Sequence, residues 1–311
     1  MPTSVAVGGA RASSARLPAV SVVICTRNRA SSLARTLDAI GALDLPDLAA
    51  PAELIVVDNG STDETQQIVD AFRARAPLPV AYVYEGRPGL AAARNAGILH
   101  AEHEVILFTD DDCLPARDWL LTTLRLFSSD LLQVVGGRVE LYNPDHLGLS
   151  VKTSLVEDRL RSVGGLLGFV HGANLAFGRP VVDRIGWFDV RFGAGTYLKS
   201  AEDTEFVYRA FRAGLPVLYK PDLVVWHDHG RSGVRDWMRL TRGYCRGIGG
   251  MTMKHVMIGR TDLVRMVYWD IRTACREWRA APRNWRLPLS RLSILTGAVR
   301  FVLSSSWRRP T

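Results

Sequence analysis

Three carboxylates, Asp110, Asp111 and Asp112, stand directly after the apolar run Val105-Ile106-Leu107-Phe108, and Pro115 follows closely. Adjacent carboxylates repel one another unless a cation or bound protons relieve them. Hard oxygen ligands on a short loop suit Mg²⁺ or Mn²⁺, ions that keep waters and grip phosphates. An exposed acidic turn is the bland alternative. Other residue types with chemical potential recur at the ends of apolar runs. Asp58 closes Glu53-Leu54-Ile55-Val56-Val57 and precedes Asn59-Gly60; it can make an Asx-turn or accept hydrogen bonds from a ligand. Glu202-Asp203 opens a helical pattern, where acids serve either as dipole partners or as a general base. His227 and His229 alternate after Leu223-Val224-Val225-Trp226. Alternate strand residues share a face, so both rings can reach one metal or phosphate. Arg94 and Asn95, on an Ala-rich segment behind Gly86 and Gly89, offer a diphosphate contact or a solvated face.

The elements that must position these residues follow from periodicity. Val20–Cys25, Glu53–Asp58, Val80–Tyr84 and Val105–Thr109 predict strands. Between them lie helical patterns: one with Leu33, Leu37 and Ile40 on a face and Ser31 as its cap, one with Ile68, Val69 and Phe72, and an Ala-rich helix stopped by Gly97. Such alternation predicts right-handed βαβ units, a parallel sheet and a rim where the polar residues gather. Beyond residue 132 the pattern is less regular. Gln133–Leu141 reads as a strand broken at Gly136-Gly137. Asn143–Gly168 reads as loop and helix with glycine hinges. Short strands are expected at Val217–Tyr219 and Leu223–Trp226 around Pro221, and a helix from Glu202 to its stop at Gly214.

The chain has 311 residues, 47% hydrophobic and 23% charged, which excludes a disordered polymer and allows a large core. Its net charge of +8 is uneven. From Arg231 onward there are 17 Lys and Arg against 4 Asp and Glu, whereas the preceding 230 residues hold 22 against 27. Cys25, Cys113, Cys245 and Cys275 show no CxxC or zinc spacing, so they read as core thiols in a reducing compartment. Residues 1–18 lack a signal-like apolar core and read as a loose arm. The nearest approach to a membrane span, Leu287–Ser305, is interrupted by Arg291 and Arg300.

Seven short motifs occur in order: Val22-Val23-Ile24-Cys25-Thr26-Arg27-Asn28, Val56-Val57-Asp58-Asn59-Gly60-Ser61-Thr62-Asp63, Ala93-Arg94-Asn95-Ala96-Gly97, Asp110-Asp111-Asp112, Gly172-Ala173-Asn174, Gly186-Trp187-Phe188-Asp189 and Glu202-Asp203. Together they make residues 19–230 resemble the inverting family 2 glycosyltransferases with a GT-A fold. The resemblance implies an α/β fold with a mostly parallel central sheet flanked by helices. It implies a nucleotide-diphosphate-sugar donor and a divalent metal, Mg²⁺ or Mn²⁺. Donor contacts are expected from Thr26, Arg27, Asn28, Asp58, Asn59, Arg94, Asp110 and Asp111. Metal contacts are expected from Asp110, Asp112 and either His227 or His229. Asp203 matches the catalytic base, with Glu202 beside it, and Gly172, Asn174 and Trp187 are placed toward the hydroxyl-bearing acceptor.

Residues 231–311 lie outside those motifs and predict basic amphipathic helices. They either pack on the catalytic body or attach it to an anionic membrane, which suits a cytoplasmic protein held at the inner face of the cell membrane and a lipid-linked or envelope-glycan acceptor. No nucleic-acid recognition motif is present. Two competing classes are a nucleotidyltransferase that makes nucleotide-sugars and a non-catalytic membrane adaptor. The first is disfavoured because Thr26-Arg27-Asn28-Arg29 contains no glycine. The second is disfavoured by the retained acids.

Overall fold

The computed structural model describes residues 17–45, 52–280 and 286–304; the arm expected at 1–18 lies almost wholly outside them, as does much of the connection from Leu43 to Pro51. Strands β1 (Val20–Thr26), β2 (Ala52–Asp58), β3 (Val80–Tyr84) and β4 (Val105–Asp110) form where the apolar runs predict them. They pair in parallel in the order β3-β2-β1-β4. Parallel sheets are covered on both faces, and β1, β2 and β4 are accordingly buried almost throughout. Helices α1 (Ala30–Gly41), α2 (Thr65–Arg73) and α3 (Leu90–His100) make the connections.

Two local readings are corrected. Ser31 does not cap α1: the Asp63 carboxylate, from the loop before α2, accepts the Ala30 N–H at 2.9 Å and also the Thr65 hydroxyl at 2.5 Å. One acid thus holds two helix starts. Gly97 does not stop α3, which runs three residues past it. A Cβ at Gly97 would lie 2.3 Å from Val23 Cγ1, so the glycine is there to let the helix press onto β1.

The sheet continues from β4 through β8 (Asn174–Gly178), β6 (Val134–Leu141) and β9 (Val217–His227) to the short β5 (Cys113–Pro115). β8 runs antiparallel to β4 and β6, while β6 and β9 are parallel. The sheet is therefore mixed, with its parallel half in the first four strands. Pro115 does not prevent β5 from pairing, because β5 is the last strand of the sheet, and edge strands tolerate proline. The two strands expected around Pro221 are one strand, and β6 is continuous. Both absorb their irregularity in a register shift after Gly137. Residues 143–168 hold the two-residue β7 (Asp158–Arg159) and a single 3-10 turn (Val163–Gly165) rather than an α-helix.

α4 (Trp119–Leu126) and α5 (Arg179–Ile185) cover the sheet, and α6 (Glu202–Arg212) carries the Glu202-Asp203 pair in its first turn. The basic C-terminal region folds as α7 (Val234–Val256), α8 (Asp262–Ala280) and α9 (Arg286–Leu303). α7 and α9 cross at van der Waals contact of their backbones. A Cβ at Gly249 would lie 1.9 Å from the Ile294 carbonyl oxygen, and one at Gly297 1.9 Å from that of Arg246.

Candidate active site

The acid turn forms where β4 ends. Asp110 is its last residue, Asp111 and Asp112 make the turn, and Cys113 begins β5. Because Cys113 pairs with His227 in the β5–β9 register, the last residue of β9 is delivered beside Asp112. His227 Nε2 lies 3.2 Å from Asp112 Oδ1. From the other side comes the loop after β1: the Thr26 hydroxyl donates to Asp111 at 2.7 Å, and the Arg29 guanidinium reaches Asp112 at 2.6 Å and Asp111 at 3.3 Å. Burial pushes Asp111 up to about 7, with Arg29 opposing it, and raises Asp110 against the pull of Arg94. Burial would also raise Asp112. There the hydrogen bond and charge of His227, joined by Arg29, win and hold it below the usual carboxylate range.

The facing wall is built by β8 and α6. Since β8 runs antiparallel to β4, the residues just before it sit at the rim where β4 ends. There the Gly172 N–H donates to Asp203 Oδ2 at 2.9 Å, and the Thr204 N–H donates to Asp203 Oδ1 at 2.6 Å. Asp203 is half-buried and faces a cavity of about 600 Å³ that is also lined by Asp110, Asp111 and Asp112. Glu202 is different. It is buried and accepts from Arg94 Nη1 at 2.8 Å, while Arg94 Nη2 lies 3.7 Å from Asp110. Burial and the charge of Asp203 push Glu202 up to about 7 despite Arg94. Arg94 itself is buried over the rings of Phe108 and Phe188. It is a strut between the acid turn and α6 rather than a solvated side chain. Gly172 leaves room for it, since a Cβ there would lie 2.2 Å from Arg94 Nη2.

The remaining expected residues divide in two. Thr26, Arg27, Asn59 and Gly172 line the cavity. Asp58 sits at the neighbouring strand end, accepting from the Ser61 N–H and the Tyr82 hydroxyl, each at 2.7 Å. Asn59 fixes the approach to α3 by accepting from the Gly89 N–H and donating to the carbonyls of Glu85 and Arg87. Asn28, with φ 53°, binds the Thr62 N–H and so ties the β1 loop to the β2 loop. Asn174, Trp187 and His229 do not join the cavity wall. The Asn174 amide donates to the Arg138 and Leu223 carbonyls at the register shift and accepts from Trp119 Nε1, so both of its N–H donors are committed to the fold. Trp187 is 46% exposed and is held through its carbonyl by Arg209. His229 Nε2 donates to the Leu147 carbonyl, and its Nδ1 accepts from the Arg231 N–H, so no lone pair is left for a metal. Arg29 was missed as a site residue because a fourth polar residue in a loop carries no local signal of what it will reach. Tyr244 of α7 was missed as well. Its hydroxyl hydrogen-bonds that of Ser150, and the Ser150 carbonyl accepts from His227 Nδ1 at 3.4 Å.

The donor set suits a hard divalent cation. Asp112, His227 and Cys113 place ligand atoms within 4.8 Å of one another. Burial, with Asp110 and Asp112 nearby, raises the Cys113 thiol well above its ordinary value, so it stays protonated and is a poor ligand. With Nδ1 donating to Ser150, Nε2 of His227 can meet the Asp112 carboxylate only through a proton or a cation. Burial lowers the affinity of His227 for a proton, but the hydrogen bond and charge of Asp112 outweigh it and raise that affinity.

Comparison with known proteins agrees with this geometry. A model of the family described as "Glycosyl transferase family 2" matches residues 21–186, more than half of the chain. The glycosyltransferase AglE of Haloferax volcanii is 28% identical over 213 residues, covering 68% of this chain and 67% of that protein. The pre-mycofactocin glycosyltransferase of Mycobacterium tuberculosis is also 28% identical, over 76% of this chain but 48% of its own length, so the chain spans about half of that relative. Among solved structures, a mannosyltransferase from Pyrobaculum calidifontis in complex with GDP-Man and Mn²⁺ superposes with a TM-score of 0.64 at 21% identity, covering 93% of this chain and 88% of that one. TarS of S. aureus in complex with UDP-GlcNAc superposes with a TM-score of 0.54 at 18% identity, over 90% and 89%. These likenesses establish the GT-A fold, and with the family match they show that the chain belongs to glycosyl transferase family 2, the nucleotide-sugar-dependent glycosyltransferases.

Proposed function

We propose that the protein inverts the anomeric centre of its donor sugar, with Asp203 as general base and a divalent cation under the diphosphate. The observation that carries the reading is the division of labour in the first turn of α6. Glu202 is committed to Arg94, whereas Asp203 is oriented by two backbone N–H groups and faces the cavity opposite the acid turn. A base needs only hydrogen-bond reach to the proton it takes. Asp112 and His227, with Asp110 beside them, would hold the cation, which when bound offsets the charge that develops on a departing diphosphate. Thr26 and Arg29 keep the acid turn in place, and Asp58 and Asn59 stand where the nucleoside would lie. Asp203 then removes the proton of the acceptor hydroxyl as it attacks the face opposite the diphosphate, and a single displacement inverts the centre. Asp203→Asn is expected to lower transfer by about 10³-fold while leaving nucleotide-sugar affinity within about threefold. Loss of donor affinity equal to that of Asp112→Ala would remove Asp203 from the base role.

A second reading concerns location. Among the described residues no helix is long and apolar enough to cross a membrane. Yet Tyr268, Trp269, Ile271, Trp278, Leu292 and Leu295 are exposed on α8 and α9, interspersed with exposed Arg265, Arg272, Arg276 and Arg279. Such a face suits an interfacial helix pair on an anionic surface, where each basic residue contributes about 1 kcal/mol. α7 packs against the turn that bears the base, so point changes test this better than removal of the tail. Leu292→Glu with Leu295→Glu should cut sedimentation with phosphatidylglycerol vesicles several-fold; an unchanged bound fraction dismisses the reading.

A further inference from the structure

The cavity does not end at the acids. It is also lined by Leu167 and Val170 and by Leu240, Tyr244 and Ile248 of α7. The one polar group among these five, the Tyr244 hydroxyl, is engaged by Ser150, and the polar lining from the C-terminal region includes Arg231, Thr241 and the Asp270–Arg291 ion pair. The wall is also held in register with the base. Ser200, two residues before Glu202, donates its hydroxyl to the Gly243 carbonyl at 3.1 Å, and Gly247 packs so close that a Cβ would lie 2.6 Å from the Ser200 carbonyl oxygen. Ala201 then turns the chain with φ 73° into the first turn of α6. One hollow is therefore lined both by the acid turn with Asp203 and by an apolar stretch from α7 and residues 167–170.

A molecule whose hydroxyl reaches Asp203 within this hollow can place an apolar body against that stretch. We propose that the acceptor is an amphiphilic alcohol: a hydroxyl or sugar carrying an apolar body that lodges between α7 and residues 167–170. The inference rests on the transferase reading, because it takes the hydroxyl of the occupant to be the one that Asp203 deprotonates. A linear lipid chain and a flat aromatic group share this chemistry, and a ligand series separates them. Sugars without an apolar body gain nothing from the wall, which makes it a device for acceptor selection as well as for binding.

The test is equilibrium binding to the full chain, without donor, of methyl, butyl, hexyl and octyl β-glucosides below their micelle concentrations, beside phenyl and naphthyl β-glucosides. Affinity should rise roughly fourfold for each methylene that enters the wall. Ile248→Asn and, as a milder variant, Leu240→Gln should each flatten that rise, costing the octyl compound tenfold or more, whereas Leu292→Ser on the outer face of α9 should not. Tighter binding of octyl than of naphthyl marks a lipid-like chain, and the reverse order marks an aromatic body; either order sustains the proposal. Chain-length-independent binding overturns it, as does a rise that both cavity variants leave intact. Nucleoside-diphosphate release from a panel of nucleotide-sugars with Mn²⁺, followed on the same samples, separates the two claims. Its absence beside chain-dependent binding sinks the transferase reading and the acceptor role with it but leaves the apolar site; its presence beside indifferent binding sinks the apolar subsite alone.

Discussion

Helix α6 carries acids in two different surroundings, and the contrast between them separates function from scaffold. On the cavity side, Glu202 and Asp203 join Asp110, Asp111 and Asp112, and among the described residues the cations paired with these carboxylates are Arg29, Arg94 and His227. Burial leaves Glu202 and Asp111 each near 7. Three residues after Glu202, Glu205 is fully buried yet surrounded: Arg209 at 2.9 Å, Lys254 at 2.6 Å and His255 at 3.1 Å, with Lys254 also reaching Asp189. Burial would raise Glu205, but these cations outweigh it and hold the carboxyl well below its ordinary range. The scaffold side is satisfied by its own residues. The cavity acids are only partly paired: among the described residues Asp203 forms no ion pair, and a divalent cation and a proton-bearing acceptor can engage what is left.

Breaking the strut between the cavity acids should have the largest effect. Arg94→Met leaves Glu202 and Asp110 without their shared guanidinium and frees the acid turn from α6. We expect transfer to fall more than 10²-fold and stability to fall by about 3 kcal/mol, the scale of a broken buried pair. Denaturant unfolding and turnover measured on the same preparation check both. If turnover survives, the two walls are aligned by something other than Arg94.

Breaking the scaffold knot should separate the two quantities. Glu205→Gln leaves Arg209 and Lys254 with less compensation in a buried setting, and a loss of about 3 kcal/mol is expected. Below the new melting transition, turnover should stay within about twofold of the parent. A fall in turnover comparable to that of Arg94→Met would mean that the two clusters of α6 act as one unit.

The sequence made the parallel half of this molecule legible and left the contrast hidden, for a physical reason. β1 to β4 announce themselves by runs such as Leu54-Ile55-Val56-Val57, and the acids at their ends follow from the topology of a parallel sheet. The pairing of Cys113 with His227 spans more than a hundred residues and has no local signature, so which histidine reaches Asp112 could not be read. Arg94 in an Ala-rich helix has the composition of a solvated residue; only the sheet's closure over Phe108 and Phe188 buries it. Asn174 occupies the position expected of an acceptor contact, but the register shift opposite it frees the Leu223 carbonyl, and its amide is spent there. Glu205 was indistinguishable from any helical surface glutamate until α7 folded back with Lys254 and His255.

The subtlest consequence of the contrast is a pair of opposite pH slopes. Glu202 has its folded value raised from 4.5 to about 7, chiefly by burial. The folded state therefore holds its proton more tightly, and the resulting stability is present below about 4.5 and lost as pH rises through 7. Glu205 has its folded value lowered. Its stability is present above about 4.5, the ordinary value, and is lost as pH falls through the folded one. Other groups titrate too, so the informative quantity is the difference between each glutamine variant and its parent in unfolding free energy. For Glu202→Gln that difference should move in the variant's favour between pH 5 and 8, by up to about 3 kcal/mol. For Glu205→Gln it should move against the variant between pH 3 and 5 and then stay level to pH 8. Slopes of the same sign in the same window would show that the two acids sit in equivalent surroundings, and the contrast between them would be lost.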